Sequence, residues 1–353
     1  MNLRVPSLTL TAALGAMNCG EPSAPVNPDA AVVADAMRDA GPSAPTAASI
    51  MFAPGAKLSA GNYLLFNDWS KDPNVVWAVA INDVGGARTE LFRANRVWSL
   101  GTKADGSAML FAAHDDQQEA HFGVTLGDSI QNTFLFDAAT QQARAVAWGN
   151  INDECHTFTT DGLAAFVCRR YDFTSAGTFS GWRLAKVRLS DGVAEYVRAE
   201  QTRDFELSPQ PLRNQRLLFE LRGKPPASNS AIYVRDLTSG VETKVFDQAS
   251  RPVLAPDGHH IAMLNHADGR KLYIADLDAP TAPLRMVPAT AGAADVVWAP
   301  DGNSLYYTVF DSANSCDHIE RIDLLGTPAP ERLRDCVNHN HEFITKMFWI
   351  TVP

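Results

Sequence analysis

The 353-residue sequence has no apolar run long enough for a bilayer-spanning helix, which needs about 20 residues. It has no Lys/Arg cluster either; basic residues come singly or in pairs such as Arg169-Arg170. With 40 acidic against 30 basic residues, the net charge is −10, and nucleic acid is not an expected partner. Phosphate binding needs a concentrated cationic face. Phosphate loop, dinucleotide fingerprint, HExxH and GxSxG are all missing, and with them the short signatures of the common nucleotide enzymes, zinc peptidases and serine hydrolases. No cofactor is expected. The triplet Gly127–Ser129 is too short to stand for an esterase block and reads as loop. Beyond residue 50 no segment carries a convincing amphipathic-helix pattern, which leaves the strand as the building unit. Cysteine is scarce, at five residues.

What is present begins with "MNLRVPSLTLTAALGAMNC", in which Arg4 precedes a short apolar run and then small and polar residues. That is the order of an export signal. The segment resembles a bacterial lipoprotein signal. The resemblance implies that residues 1–19 are signal and that Cys19 is lipidated; simple cleavage without lipid is the alternative. It also implies an exported protein of the cell envelope, lipid-anchored on the periplasmic face or the cell surface. Residues 20–48 are rich in Ala, Pro, Asp, Ser and Gly and hold no aromatic residue. Such a stretch cannot bury enough surface to offset its ordering entropy, so a flexible tether is expected there.

The remainder, 49–353, is built of short β-type runs cut by turns, and one phrase returns. "VLAPDGHHIAML" (253–264) is followed by "KLYIADLD"; "VVWAPDGNSLYYTV" (296–309) is followed by "HIERIDL". In "APDG", Pro suits the second place of a tight turn, Asp bonds nearby amides, and Gly accepts the geometry at the exit. Weaker copies are "LSAGNYLLF" (58–66), "KADGSAMLF" (103–111), "TTDGLAAFV" (159–167) and "LSPQPLRNQRLLFEL" (207–221). The turn pairs are Asp105-Gly106, Asp161-Gly162, Asp257-Gly258 and Asp301-Gly302, with Pro209 expected to mark the turn of the fourth copy. Six units at a period near ~45 residues, four strands each, predict an all-β six-bladed β-propeller. A seven-bladed ring is the alternative. A lone four-stranded sheet leaves both faces bare, and stacking blades around an axis covers them; Leu110, Phe158, Phe205 and Trp298 are expected in those layers. The tail "EFITKMFWITVP" (342–353) reads as one more strand, completing a blade begun near the N-terminal edge.

The repeat resembles that of TolB-type β-propellers, in which an APDG-like phrase is followed by an apolar strand and an "IY-x-x-D" strand. The resemblance covers about 300 residues and speaks to fold rather than activity. No hydrolase domain is expected behind the repeats.

If Cys19 carries lipid, an even number of cysteines is left, suited to an oxidising compartment. Cys155 and Cys168 are centred on Asp161-Gly162. A two-residue turn closed by Thr160 and Leu163 would set them directly opposite at a non-hydrogen-bonded position, Cα atoms ~4.5 Å apart. Cys316 and Cys336 are centred on Gly326 in the same manner. No metal site is expected; the nearest approach is His339 and His341 in "NHNHE", with His318 or Asp317 as a conceivable third ligand. "NHADGRK" (265–271) is rich in oxygen ligands, but its Asp-Gly is explained by a turn. Recurrent third-strand Asp137, Asp236, Asp276 and Asp323 are expected to cap turns.

These features fit a non-enzymatic, monomeric envelope lipoprotein whose propeller is a scaffold for a protein or peptide. The alternative is an envelope enzyme, a polysaccharide lyase or hydrolase, with a metal or carboxylates in the funnel.

Overall fold

The computed structural model describes residues 51–52, 57–68, 74–97, 99–114, 131–147, 151–171, 181–198, 205–223, 229–312, 316–325, 329–334 and 344–353. Among these residues all regular structure is β, in six antiparallel sheets. The first sheet holds β1 (Met51–Phe52), β2 (Gly61–Asp68), β3 (Asn74–Ala80) and β4 (Thr89–Ala94). The second holds β5 (Leu100–Thr102), β6 (Ala108–Ala113), β7 (Asn132–Asp137) and β8 (Gln142–Ala147). The third is β9 (Asp153–Phe158), β10 (Ala164–Tyr171), β11 (Gly181–Arg188) and β12 (Ala194–Tyr196). The fourth is β13 (Phe205–Leu212), β14 (Arg216–Arg222), β15 (Ser230–Asp236) and β16 (Glu242–Asp247). The fifth is β17 (Ala249–Leu254), β18 (His260–Asn265), β19 (Lys271–Asp276) and β20 (Arg285–Met286). The sixth is β21 (Ala293–Trp298), β22 (Ser304–Asp311), β23 (Cys316–Asp323) and β24 (Pro330–Arg334).

The last strand, β25 (Ile344–Val352), pairs antiparallel with β2, from Gly61↔Val352 to Asp68↔Ile344, and becomes the inner strand of the first sheet. The chain therefore closes on itself. Inner strands touch in sequence around a circle: β25 with β5, then β9, β13, β17, β21 and again β25. This is a six-bladed β-propeller.

Each of the six blade interfaces carries its own apolar cluster. Phe92 of the first blade meets Phe111 of the second with ring centroids 4.9 Å apart. Leu110 and Phe158 join the second blade to the third, and Phe166 and Phe219 the third to the fourth. Ile232 and Met263 link the fourth and fifth, Leu264 and Trp298 the fifth and sixth, Tyr306 and Phe66 the sixth and first. Phe205 is only partly buried at its interface. Pairing blades buries what a single four-stranded sheet would expose, at roughly 25 cal/mol per Å² of apolar surface.

Two details of the repeat differ from the sequence reading. Gly61 closes no turn: it begins β2 at the seam where the two ends of the chain meet, opposite Val352. Pro209 is not the turn proline of the fourth blade. The turn there is Arg213–Gln215, with Asn214 and Gln215 at φ 59° and 53°, while Ser208 and Pro209 fall in a bulge of β13 between Leu207 and Gln210. Pro lacks an amide, so a bulge position, outside the ladder, tolerates it as well as a turn does.

Candidate functional site

Around the axis the inner strands enclose a cavity of about 530 Å³, open toward the end that carries the Asp-Gly turns. Its mouth is formed by Lys103–Asp105, Thr159–Gly162 and Ala255–Pro256; Trp298, Phe348 and Trp349 with Pro209, Pro211 and Pro252 make much of its wall. Glu154, His156, Arg251 and Asp295 line the wall toward the far end.

The turns at the mouth are one device used repeatedly. In "APDG", Gly258 N donates to Ala255 O (2.9 Å), and Asp257 Oδ1 accepts from His259 N (2.8 Å) and His260 N (3.0 Å). Asp105 accepts from Ser107 N, Asp161 from Leu163 N and Asp301 from Asn303 N, at 2.9, 3.0 and 2.9 Å. Gly106 and Gly258 have φ of 72° and 75°, a left-handed region costly to any residue with a Cβ. Thr159 Oγ1 and the Leu163 amide hold the Asp161 carboxyl below its ordinary range. Burial pushes Asp257 the other way but is outweighed by the amides of His259 and His260 and the His260 ring. The third-strand aspartates do not face the funnel. Asp137, Asp236 and Asp276 accept from amides two or three residues on, and Asp323 accepts from Ser304 Oγ.

Cys155 and Cys168 are joined by a disulfide with Cα atoms 5.3 Å apart. Their surroundings differ from the expected hairpin. Gly162 N donates to Thr159 O and Thr159 N to Ala164 O, so the loop has four residues around a type I turn rather than two. A bulge between Phe166 and Cys168 then sets Cys168 opposite Glu154, with Cys155 at φ 56°. The extra residue re-aims the Cys155 side chain enough for the bridge to form off the regular register. Cys316 is buried at the start of β23, and Cys336 lies outside the described residues. So do Cys19, Gly127–Ser129, Gly326, His339 and His341. His318 is buried, its Nε2 2.9 Å from Glu320 Oε1, and among the described residues no group of three or more His, Cys, Asp or Glu is arranged to hold a metal ion.

Next to the disulfide lies a buried polar chain that the sequence did not reveal. Ser99 Oγ is 2.6 Å from His156 Nδ1, and His156 Nε2 is 2.9 Å from Thr133 Oγ1. Thr133 Oγ1 donates to Asp153 Oδ2 (3.2 Å), and Asp153 is gripped bidentately by Arg169 at 2.7 and 2.8 Å. Because the Thr133 hydroxyl hydrogen goes to Asp153, its oxygen accepts from His156 Nε2–H. Burial keeps the ring neutral, and a neutral ring that donates through Nε2 accepts from the Ser99 hydroxyl at Nδ1. Burial, with Arg169 nearby, lowers its pKa to about 4 against the opposing pull of Asp153. The residues come from three strands, β7, β9 and β10, and one connection; no local phrase announces them.

Other buried carboxylates stitch blades together. Glu220 Oε2 accepts from Arg251 N (2.9 Å), Asp295 Oδ2 from Met347 N (2.9 Å), and Glu206 Oε2 from Leu184 N (2.8 Å). Burial raises the Glu206 pKa in spite of that amide and Arg198, 3.1 Å away.

No protein-family model matches the sequence, and neither does any curated protein. Solved structures do match in fold. TolB from Acinetobacter baumannii superposes with a TM-score of 0.58 at 12% identity, over 82% of this chain and 66% of that one. This chain thus spans just under two thirds of that protein. A putative TolB from Agrobacterium tumefaciens gives 0.54 at 14% identity, over 84% and 100% of the two chains. The periplasmic gluconolactonase PpgL of Pseudomonas aeruginosa gives 0.50 at 13%, over 83% and 100%. At these identities the likeness is one of fold: a TolB-like six-bladed propeller, an architecture found in proteins of different kinds, one of them an enzyme.

Proposed function

We propose that the chain is an exported envelope protein, tethered through Cys19 and residues 20–48, whose axial funnel binds a polypeptide partner as a scaffold. The observation that carries the reading is the make-up of the funnel. Its wall is aromatic and proline-rich, its mouth is a ring of turns with exposed polar edges, and His156, Asp295 and the mouth aspartates are already bonded within the wall. An apolar cavity with a few fixed polar groups suits binding. The test places a photo-crosslinking residue at Thr160 on the mouth and, as a control, at Lys244 on an outer strand. Adducts of one discrete mass from Thr160 alone support the reading; identical smears from both positions, or none, refute it. Fatty-acid labelling of the wild type and not of Cys19→Ala tests the anchor separately.

A second reading, an envelope lyase or hydrolase, is favoured by the lactonase built on the same fold and by Glu154 and Asp161 in the cavity lining. Stoichiometric metal in the purified protein, lost when His339 and His341 are both replaced, would turn the choice toward it.

A further inference from the structure

The end of the propeller opposite the Asp-Gly turns carries a cationic cluster that the funnel reading does not use. Arg222 ends β14, Ser250 and Arg251 open β17, and His266 and Arg270 follow β18. They lie on neighbouring blades, the fourth and fifth. One buried carboxylate, Glu220, faces them, and it is fully committed. Its Oε1 accepts from Arg222 Nε (3.0 Å), Arg222 Nη2 (2.7 Å) and Ser230 Oγ (3.0 Å), and its Oε2 from the Arg251 amide (2.9 Å).

That leaves two guanidinium groups without a carboxylate among the described residues. Arg251 bonds only a backbone carbonyl, that of Ala294, through Nη1. It stands in a bulge of β17 between Ser250 and Val253 at φ 50°, the kind of irregularity that re-aims a side chain. Among the described residues the Arg270 side chain has no hydrogen-bond or ion-pair partner, and only its amide is bonded, to Asn265 O. His266 is held over the same strand by Ser250 Oγ, 2.7 Å from its Nε2. The groups feel one another: burial together with Arg251 and Arg222 lowers the Arg270 pKa, and burial with Arg270, Arg222 and Arg251 lowers that of His266 against the pull of Glu220. The loop is the "NHADGRK" segment. Its oxygen ligands are spent internally, Asp268 on Lys271 and Tyr273, Asn265 on the Ala267 amide, so it presents cation-coordinating groups to nothing.

We propose that Arg251, Arg270 and His266, braced by the Arg222–Glu220 pair, form a binding site for a doubly charged oxyanion, either a phosphate group or paired carboxylates. In a chain of net charge −10, two adjacent unpaired guanidiniums are a local exception. Their forked donors match both kinds of oxyanion bidentately, and a dianion offsets both charges. The site lies at the end opposite the funnel mouth and shares with the funnel only Arg251, which lines the far end of its wall.

Isothermal titration calorimetry of the full chain at low salt, with inorganic phosphate in one arm and glutarate in the other, tests it. The wild type is expected to bind at least one of them saturably at one site, and more weakly as salt rises. Arg270→Gln is expected to weaken that binding roughly tenfold or more, and Lys244→Gln to leave it unchanged. Arg270 bonds nothing in the wall, so its replacement carries the test without disturbing the fold; Arg251→Gln is the second variant, checked by its melting curve. Binding of phosphate alone assigns a phosphoryl ligand, and of glutarate alone a dicarboxylate. Saturable binding of neither anion, or binding untouched by Arg270→Gln, overturns the proposal.

Discussion

Acidification should destabilise the protein through one residue, His156. In the folded chain its Nδ1 accepts from Ser99 and its Nε2 donates to Thr133, an arrangement open only to the neutral ring. Protonation would put a hydrogen on Nδ1 facing Ser99, beside Arg169, in a buried place that solvates the charge poorly. The ring is therefore pushed down to about 4 when folded and returns to its ordinary value of 6.5 when unfolded. Between those values the unfolded chain binds the extra proton and the folded chain does not, so stability is complete above pH 6.5 and falls as pH drops toward 4. At about 1.4 kcal/mol per pH unit, the full swing is about 3 kcal/mol, of which about 2.5 lies between pH 7 and pH 4.5. Carboxylates also titrate at the lower end, so the measurement is a difference. Urea unfolding of the wild type and of His156→Gln, at both pH values, isolates the contribution. The variant starts lower in stability but lacks the slope, and the gap between the two proteins should close by about 2.5 kcal/mol on going to pH 4.5. A gap constant within about 0.5 kcal/mol, or an NMR resonance of His156 titrating between pH 6 and 7, would refute the reasoning.

Replacing both Cys155 and Cys168 by Ser removes a cross-link across a 13-residue separation and should cost about 3 kcal/mol, read from urea midpoints; peptide mapping without reductant should join the two in the wild type. Removing residues 344–353 strips the first blade of its inner strand and breaks the circle between β21 and β5, so cooperative thermal unfolding should be lost altogether. Two glycines separate conformation from crowding. Gly269 has φ 62° with nothing within 4 Å of an added Cβ, so Gly269→Ala should cost only about 1 kcal/mol. Gly106 has φ 72°, and its Cβ would meet Thr351 N at 2.7 Å, so Gly106→Ala should cost at least about twice as much, again by urea unfolding.

The parts of the fold that were legible in the sequence are those whose chemistry is local. An Asp that accepts from amides two residues on, followed by a Gly in the left-handed region, makes a turn whatever surrounds it, and at Asp105, Asp161, Asp257 and Asp301 such turns stand where expected. The tail was legible as a strand, and its place in the first blade followed from the ring. Misreadings came where the backbone left the regular ladder without announcing it. Cys155, Ser208 and Arg251 adopt φ between 50° and 56° although none is glycine, because a bulge in an inner strand requires it and the packed ring enforces it. Composition carries no mark of such positions. Pro209 was thus taken for a turn and the two cysteines for a regular cross-strand pair. Neither His156 nor the Arg251–Arg270 cluster could have been found, since each joins residues that only the closed circle brings together.

Those bulges also bear on the choice between a scaffold and an enzyme. A bulge leaves an inner-strand amide without a ladder partner, and a buried donor left unpaired is costly. At two such bulges the neighbouring blade supplies the acceptor: Glu220 for the Arg251 amide and Asp295 for that of Met347. A carboxylate so used has a task that holds the ring shut, and moving a proton onto it would weaken the bond it exists to make. General acid–base work in the funnel would therefore fall to carboxylates outside this scheme, of which Asp105, Glu154 and Asp161 line the cavity. Asp161 is itself held in its charged form by Thr159 and the Leu163 amide, which makes it a poor acid near neutrality. Asp105, Asp161 and Asp295 are thus committed to the turns and to the contact between blades, and what the described lining leaves to meet a visitor is shape, aromatic surface, turn edges, Glu154 and the Arg251 guanidinium.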